Sequence, residues 1–283
     1  MSVVRSDIPL RTSASREQET IDRERRHYDR EWSAAGDLRL PDWLAWDPWA
    51  VHREKLLGDV TGLRLLDLGC GTGMWSVRFA QRGANVNAVD VSVEGIKLTL
   101  ARARLHGVSD RVRAQSASAY ELPYLDRSFD LVHGENILHH LDAERAGREI
   151  SRILKPNGIA VFVENSANNK LLMLARKLCG HFGISKWSTD DEYPLRQAQI
   201  RRLENLISPC EIHYPYFWCF RLLDEKLFRG RKIVAPIDKV IYRTLPFLRR
   251  FSYMQILKFS CPGNSPNRES TAHPLPDQRS FAA

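Results

Sequence analysis

The residues best suited to chemistry begin at Asp67. The segment Leu63-Arg64-Leu65-Leu66-Asp67-Leu68-Gly69-Cys70-Gly71-Thr72-Gly73 reads as a buried strand that runs into a glycine-rich turn and then a helix. Glycines there accept positive φ and leave bare backbone for a ligand to approach, while the helix N-terminus offers free N–H groups. Two acids frame the turn. Asp67 precedes the first glycine, placed to fix the loop by capping its amides. Asp90, 21 residues past Gly69, ends the next apolar run. A carboxylate there accepts hydrogen bonds from both hydroxyls of a ribose; the plainer alternative is a turn residue. A third group lies in His133-Gly134-Glu135-Asn136-Ile137-Leu138-His139-His140-Leu141. Imidazole titrates near neutral pH, so His139 and His140 are candidate general bases, with packing beneath a ligand as the plainer alternative. Glu135 and Asn136 are candidates to touch the cofactor or orient an acceptor.

A glycine turn of this kind serves either a dinucleotide or S-adenosylmethionine. The dinucleotide fingerprint, counted from Gly69, needs glycine or alanine at position 74. Met74 stands there, and the third glycine is Gly73.

The elements that must position these residues follow from apolar periodicity. Helices are expected over 73–82, stopped by Gly83, and over 93–105, stopped by Gly107. Strands are expected over 63–68, 85–89, 112–115, 129–132 and 159–163, the last after the turn Lys155-Pro156-Asn157-Gly158. This alternation predicts an α/β fold with a mainly parallel sheet and helices on both faces. Strand C-termini in such sheets face the ligand crevice, which places 133–141 beside the acceptor. Farther on, 170–178 and 196–207 read as helices, 211–220 as an aromatic strand and 254–260 as a closing strand. Between the last two, 222–251 is a basic, amphipathic insertion broken by Gly230, Pro236 and Pro246.

Four motifs, in order over about residues 60 to 165, resemble class I S-adenosylmethionine-dependent methyltransferases. Leu66-Asp67-Leu68-Gly69-Cys70-Gly71-Thr72-Gly73 resembles their first motif, and Val89-Asp90-Val91-Ser92 the next. Leu122-Pro123-Tyr124 with Ser128-Phe129-Asp130-Leu131-Val132 is similar to their L-P-F…S-F-D-x-V segment. Glu149-Ile150-Ser151-Arg152-Ile153-Leu154-Lys155-Pro156-Asn157-Gly158 resembles their E-x-x-R-V-L-K-P-G-G block. The resemblance implies a Rossmann-like fold with S-adenosylmethionine as cofactor. It also implies cofactor contacts at Asp67, Gly69, Cys70, Gly71, Gly73, Asp90, Val91, Ser118, Ala119 and Glu135. Tyr28, in His27-Tyr28-Asp29, resembles the tyrosine that closes over the cofactor in related enzymes. The family commonly carries an acid four positions before the leucine of L-P-F, where it meets the adenine amino group. Ser118 stands there instead, so a hydroxyl or the Ala119 backbone would have to serve. Leu138-His139-His140-Leu141 is frequent in the family without a general catalytic role.

Composition narrows the class. The 283 residues are 43% hydrophobic and 27% charged, ordinary globular usage. No run of about 18 apolar residues is present to span a membrane, and Met1 to Arg30 resembles no signal peptide, so a cytoplasmic protein is expected. Cys70, Cys179, Cys210, Cys219 and Cys261 form no C-x-x-C pair, which argues against a disulfide framework and a metal site. The expected organisation is a disordered 1–16, a helical, tryptophan-rich lid over 17–58, a cofactor-binding core over 59–165, the rest of the fold with a substrate-specificity insertion over 166–261, and a disordered, proline-rich tail over 262–283. The lid gathers Trp32, Trp43, Trp46 and Trp49 around Pro41 and Pro48.

The net charge is +8, and residues 201–260 hold twelve Lys or Arg against five Asp or Glu. Tyr214, Tyr216, Phe217, Trp218 and Phe220 suggest an apolar or planar acceptor. Arg229, Arg231, Lys232, Arg249 and Arg250 suggest an anionic group or peripheral contact with an anionic membrane surface. The preferred expectation is methyl transfer to a small molecule: a specialised metabolite, a saccharide or a lipid-linked intermediate. RNA is a weaker acceptor, because no N-P-P-Y or D-P-P-Y run occurs. A non-catalytic, cofactor-binding partner subunit is a further alternative. A nicotinamide oxidoreductase is disfavoured by Met74.

Overall fold

A computed structural model of the protein describes residues 13–34, 36–170, 172–174, 193–216, 233 and 235–263. The strands are β1 (Arg64–Leu68), β2 (Asn85–Asp90), β3 (Val112–Ser116), β4 (Phe129–Glu135), β5 (Leu154–Asn165), β6 (Cys210–His213) and β7 (Met254–Ser260). They form one sheet in the order β3-β2-β1-β4-β5-β7-β6. The first five are parallel, and β7 runs antiparallel between β5 and β6. The expected Rossmann-like, mainly parallel sheet is present.

Side chains alternate across each strand, and the core divides accordingly. Leu65, Val161 and Val163 join one hydrophobic cluster, and Leu66, Ala160 and Phe162 join the other. The first cluster is covered by α2 (Pro48–Leu57) and α3 (Met74–Gln81), through Trp49, Leu57, Val77 and Phe79. The second is covered by α5 (Ala143–Ile153), through Ile150 and Ile153, and by α6 (Gln197–Leu206), through Ile200 and Leu203. Both faces therefore stay dry, which suits the continuous apolar runs of a parallel sheet. Register carries the functional side chains to one edge: Asp67 lies opposite His133, and Glu135 opposite Val163, next to Glu164.

The lid helix α1 (Ser13–Ser33) starts four residues earlier than its charge pattern indicates, and packs on α4 (Val93–Leu105). Asp29 makes that joint. Its Oδ1 accepts from Ser92 Oγ at 2.6 Å and from Glu94 N at 3.1 Å. Ser92 in turn caps α4 by accepting from Gly95 N. Trp49 is buried in the core, whereas Trp43 and Trp46 are exposed, so the four tryptophans do not form one cluster.

Two expectations shift in detail. Lys155-Pro156-Asn157-Gly158 is not a turn before β5 but part of it. Phe129 pairs with Leu154 and Leu131 with Ile159, so these residues form a bulge, with Asn157 at φ 65°. The aromatic strand is short, ending at His213. The insertion contributes α7 (Ala235–Thr244) and a 3-10 turn over Pro246–Phe251. Residues 1–12, 175–192, 217–232 and 264–283 lie outside the described residues. They hold Phe217, Trp218, Phe220, Arg229, Arg231, Lys232, Cys179, Cys219, most of the 170–178 helix, and most of the segments read as disordered. Among the described residues no helix is long and apolar enough to cross a membrane, and no group of three or more metal-ligating side chains occurs.

Candidate active site

The glycine turn sits where β1 meets α3. Gly69, Gly71 and Gly73 all have positive φ, at 69°, 52° and 76°. A Cβ on Gly73 would lie 2.6 Å from the Thr99 side chain, and one on Gly71 would lie 3.3 Å from the Trp32 ring. The first glycine of this pair lets the turn pack on α4; the second lets the lid approach it. Gly69 N and Cys70 N both donate to Val89 O, which ties the turn to β2.

The two framing acids have different partners from those their positions indicate. Asp67 does not cap the loop: its Oδ2 accepts from Ser76 Oγ at 2.5 Å and its Oδ1 meets His133 Nδ1 at 2.8 Å. It therefore pins α3 and β4 together beneath the turn. Asp90 holds the loop instead. Its Oδ2 accepts from Gly71 N at 2.8 Å and its Oδ1 from Ser92 N at 2.9 Å. Burial pushes the Asp90 carboxyl above its ordinary value. Each oxygen keeps a lone pair free for a ribose hydroxyl.

A cavity of about 430 Å³ opens above these strand ends, within the range of cofactor sites. Tyr28, Asp67, Gly69, Cys70, Gly71, Asp90, Val91, Ser118, Ala119, Glu135, His139 and His140 all line it. Of the cofactor-contact and histidine candidates singled out from sequence, only Gly73 lies off its wall, whereas Tyr214, Arg249 and Arg250 line a separate surface pocket with His52 and Tyr242. Cys70 carries a neutral thiol there, because burial pushes its pKa well up; its Sγ faces Thr99 Oγ1 at 3.7 Å.

Sequence reasoning groups His139 and His140; the structure separates them. His139 Nδ1 lies 2.7 Å from Glu164 Oε2, and Glu164 Oε1 accepts from Ile137 N and Leu138 N at 2.9 and 2.7 Å. Glu164 is fully buried. A carboxylate only accepts, so Nδ1 of His139 carries a proton, and the neutral tautomer fixed in this way has its lone pair on Nε2. His140 instead bonds to the lid: its Nε2 and the Tyr28 hydroxyl share a hydrogen bond of 3.1 Å. Burial first, then the neighbouring His139 and His27, lower its pKa to about 3, so it is a neutral ring. Tyr28 also stacks on Trp32.

Glu135 closes the opposite wall. Its carboxylate accepts from both terminal nitrogens of Arg53, each at 3.0 Å, and from Trp75 Nε1. The Arg53 guanidinium lies 3.7 Å from the Trp75 ring centroid. Burial opposes ionisation of Glu135, but the charge and hydrogen bonds of Arg53, with His133 and Trp75, together outweigh it and hold the carboxyl below its ordinary range. At the far end, Ser118 Oγ accepts from Tyr120 N, and the Tyr120 hydroxyl accepts from Asp142 N.

Glu164, Asp29, Arg53 and Glu24 escaped the sequence reading. One signal was available for Glu164, since it too is an acid ending an apolar strand, as Asp90 is.

Residues 66–162 match the family described as "Methyltransferase domain". With this fold and site, that region belongs to the class I S-adenosylmethionine-dependent methyltransferases, whose cofactor is S-adenosylmethionine. Methyltransferase GfsG of Streptomyces halstedii is 34% identical over 127 residues, 42% of this chain and 46% of that protein. Demethylmenaquinone methyltransferase of Clavibacter sepedonicus is 42% identical over 119 residues, 42% of this chain and 47% of that protein. These matches span about half the length of the curated relatives. The crystal structure of the cyclase SpnF superposes with a TM-score of 0.55 at 21% identity, covering 92% of this chain and all of the other, and shows the shared fold.

The residues present fit this cofactor. The turn leaves a cradle that a Cβ at Gly71 would narrow toward Trp32, and Asp90 offers carboxylate lone pairs at the same cavity.

Proposed function

We propose that the protein methylates a hydroxyl group of a small molecule, with His139 as general base. The single observation that carries this reading is the contact of His139 Nδ1 with the buried carboxylate of Glu164. When bound, S-adenosylmethionine supplies a methyl group on an already activated sulfonium. What remains for the chain is alignment, exclusion of water and removal of the acceptor proton. As the acceptor oxygen takes the methyl group, the S–CH3 bond would break with its electron pair left on sulfur, and the acceptor's O–H proton would pass to Nε2 of His139. The imidazolium so formed is stabilised by Glu164, which also fixes the ring's tautomer. Tyr28 and Trp32 cover the cavity from the lid and keep water out.

The acceptor's class is read from the insertion. Ile237, Val240, Leu245 and Phe247 are exposed there, interleaved with Lys239, Arg243 and Arg250. An apolar, basic surface of this kind favours an acceptor carried in, or delivered from, an anionic lipid surface. The relative named for demethylmenaquinone methylation supports the same direction.

The test is methyl transfer from labelled cofactor to hydroxylated quinols, polyketides and lipid-linked saccharides, with mass-spectrometric location of the methyl group. Labelling on oxygen by the native protein, lost with His139→Gln, is the expected result. Cofactor binding without transfer to any acceptor supports the partner-subunit alternative instead.

A further inference from the structure

Where the family resemblance implies an acid for the adenine amino group, Ser118 stands instead, and its Oγ already accepts from Tyr120 N. A carboxylate nevertheless reaches the cavity from another element. On α1, Ile21, Glu24, Tyr28 and Trp32 line the cavity at spacings of three, four and four residues, one face of a helix. The order along that face is fixed at two points. Trp32 covers Gly71, and Tyr28 bonds to His140. Glu24 stands one turn further toward the helix N-terminus. Its neighbour Arg25 donates from Nε to Val91 O at 3.1 Å, so this turn lies over the residue that follows Asp90. Asp90, Ser118 and Tyr120 line the same cavity as Glu24, whose carboxylate lies near enough to interact with the charges of Asp90 and Tyr120 as well as with that of Arg23 beside it. Among the described residues no hydrogen bond or ion pair engages Glu24. Burial raises its pKa, as it does for a carboxylate still short of donors.

We propose that Glu24 is the acceptor for the exocyclic amino group of the cofactor's adenine, replacing the acid missing at Ser118; this rests on the S-adenosylmethionine reading of the site. Base recognition is thereby moved from the sheet to the lid. Two consequences follow. The lid reads the cofactor rather than only covering it, and a base bearing a carbonyl in place of the amine meets the carboxylate with a lone pair instead of an N–H.

Calorimetry on the full chain tests this with two ligands, S-adenosylhomocysteine and its 6-oxo analogue S-inosylhomocysteine. The native protein is expected to prefer the amino compound by at least about tenfold, the loss incurred when a buried acceptor faces another acceptor. Glu24→Gln, whose amide both donates and accepts, is expected to bring the two affinities within about threefold. A preference ratio equal in native protein and Glu24→Gln overturns the proposal, whether or not both affinities fall together. Failure of the native protein to bind S-adenosylhomocysteine at all overturns the cofactor reading along with it.

Discussion

His139 and Glu164 are joined by a 2.7 Å contact between Nδ1 and a carboxylate with no exposure to solvent. Glu164→Gln is nearly isosteric, yet it presents either an amide N–H or a weaker carbonyl to Nδ1. In the first case the ring must flip its tautomer and lose the free Nε2 lone pair. The expected result is a fall in kcat of ~10²- to 10⁴-fold, the contribution of a positioned base. Affinity for S-adenosylhomocysteine should stay within about threefold, because Glu164 does not line the cavity. Equal turnover in the two proteins would remove His139 from the mechanism.

Asp90 accepts backbone N–H groups with both oxygens, so its replacement strikes loop and ribose together. Asp90→Ala should weaken cofactor binding by at least about tenfold, the upper end of what one neutral hydrogen bond accounts for. Titration calorimetry reads this directly. Unchanged affinity would end the ribose assignment.

Tyr28→Phe keeps the ring that stacks on Trp32 and removes only the hydroxyl bonded to His140. A net hydrogen-bond contribution of about 0.5–1.5 kcal/mol corresponds to a rise of roughly 2- to 13-fold in the KM for S-adenosylmethionine. A larger loss of kcat than of affinity would mean that the hydroxyl touches the reacting groups.

Arg53 is 1% exposed and neutralises Glu135 within the wall of the cavity. Removing Arg53 leaves Glu135, 27% exposed to the cavity, without its counter-charge. Arg53→Ala should therefore destabilise the fold by about 2–3 kcal/mol in urea unfolding, less than for a fully buried pair. A change below about 1 kcal/mol would place the pair among those screened by solvent.

Acid should loosen the site through its histidines. His140 falls from its ordinary 6.5 to about 3 in the folded protein, and burial lowers His133 as well. The unfolded chain thus binds more protons once pH drops below about 6.5. The stability this represents is fully present above that pH and is lost progressively toward pH 3. Thermal unfolding should show a lower Tm at pH 5 than at pH 7, with a shallower pH slope in His140→Asn. An identical slope in both proteins would contradict the shift.

The sheet and the glycine turn were legible because their signals are local. Apolar runs punctuated by Gly83, Gly107 and the Lys155–Gly158 segment marked the five parallel strands in order, and the runs at 211–220 and 254–260 marked the two remaining ones. The position of a carboxylate was legible too, but not its partner. Asp67 and Asp90 were both marked, and the structure moves the holding of the loop from Asp67 to Asp90, because Asp67 Oδ1 is turned toward His133 by a pairing that spans 66 residues. No local pattern specifies such a contact. Glu164 escaped for the same reason, its partners lying 25 to 27 residues back in the chain. Glu24 escaped because an acid on a charged helix looks like a solvated one until the opposing wall is known. The bulge at Asn157 escaped because a Pro-Asn-Gly run reads equally as a turn.

The position of β7 bears on the order in which the chain can assemble as it is synthesised. β6 joins the sheet only through β7, and Gln255 lies directly opposite Glu164 in the register. A nascent chain that has emerged through Glu135 already holds the strands, turn and acid that receive the methyl donor. Glu164 stays beside an open sheet edge until residues some ninety positions later are made. Donor-side architecture can thus precede the acceptor-side base during biosynthesis, and the charge beneath His139 is walled off only when the final described strand slides into its slot.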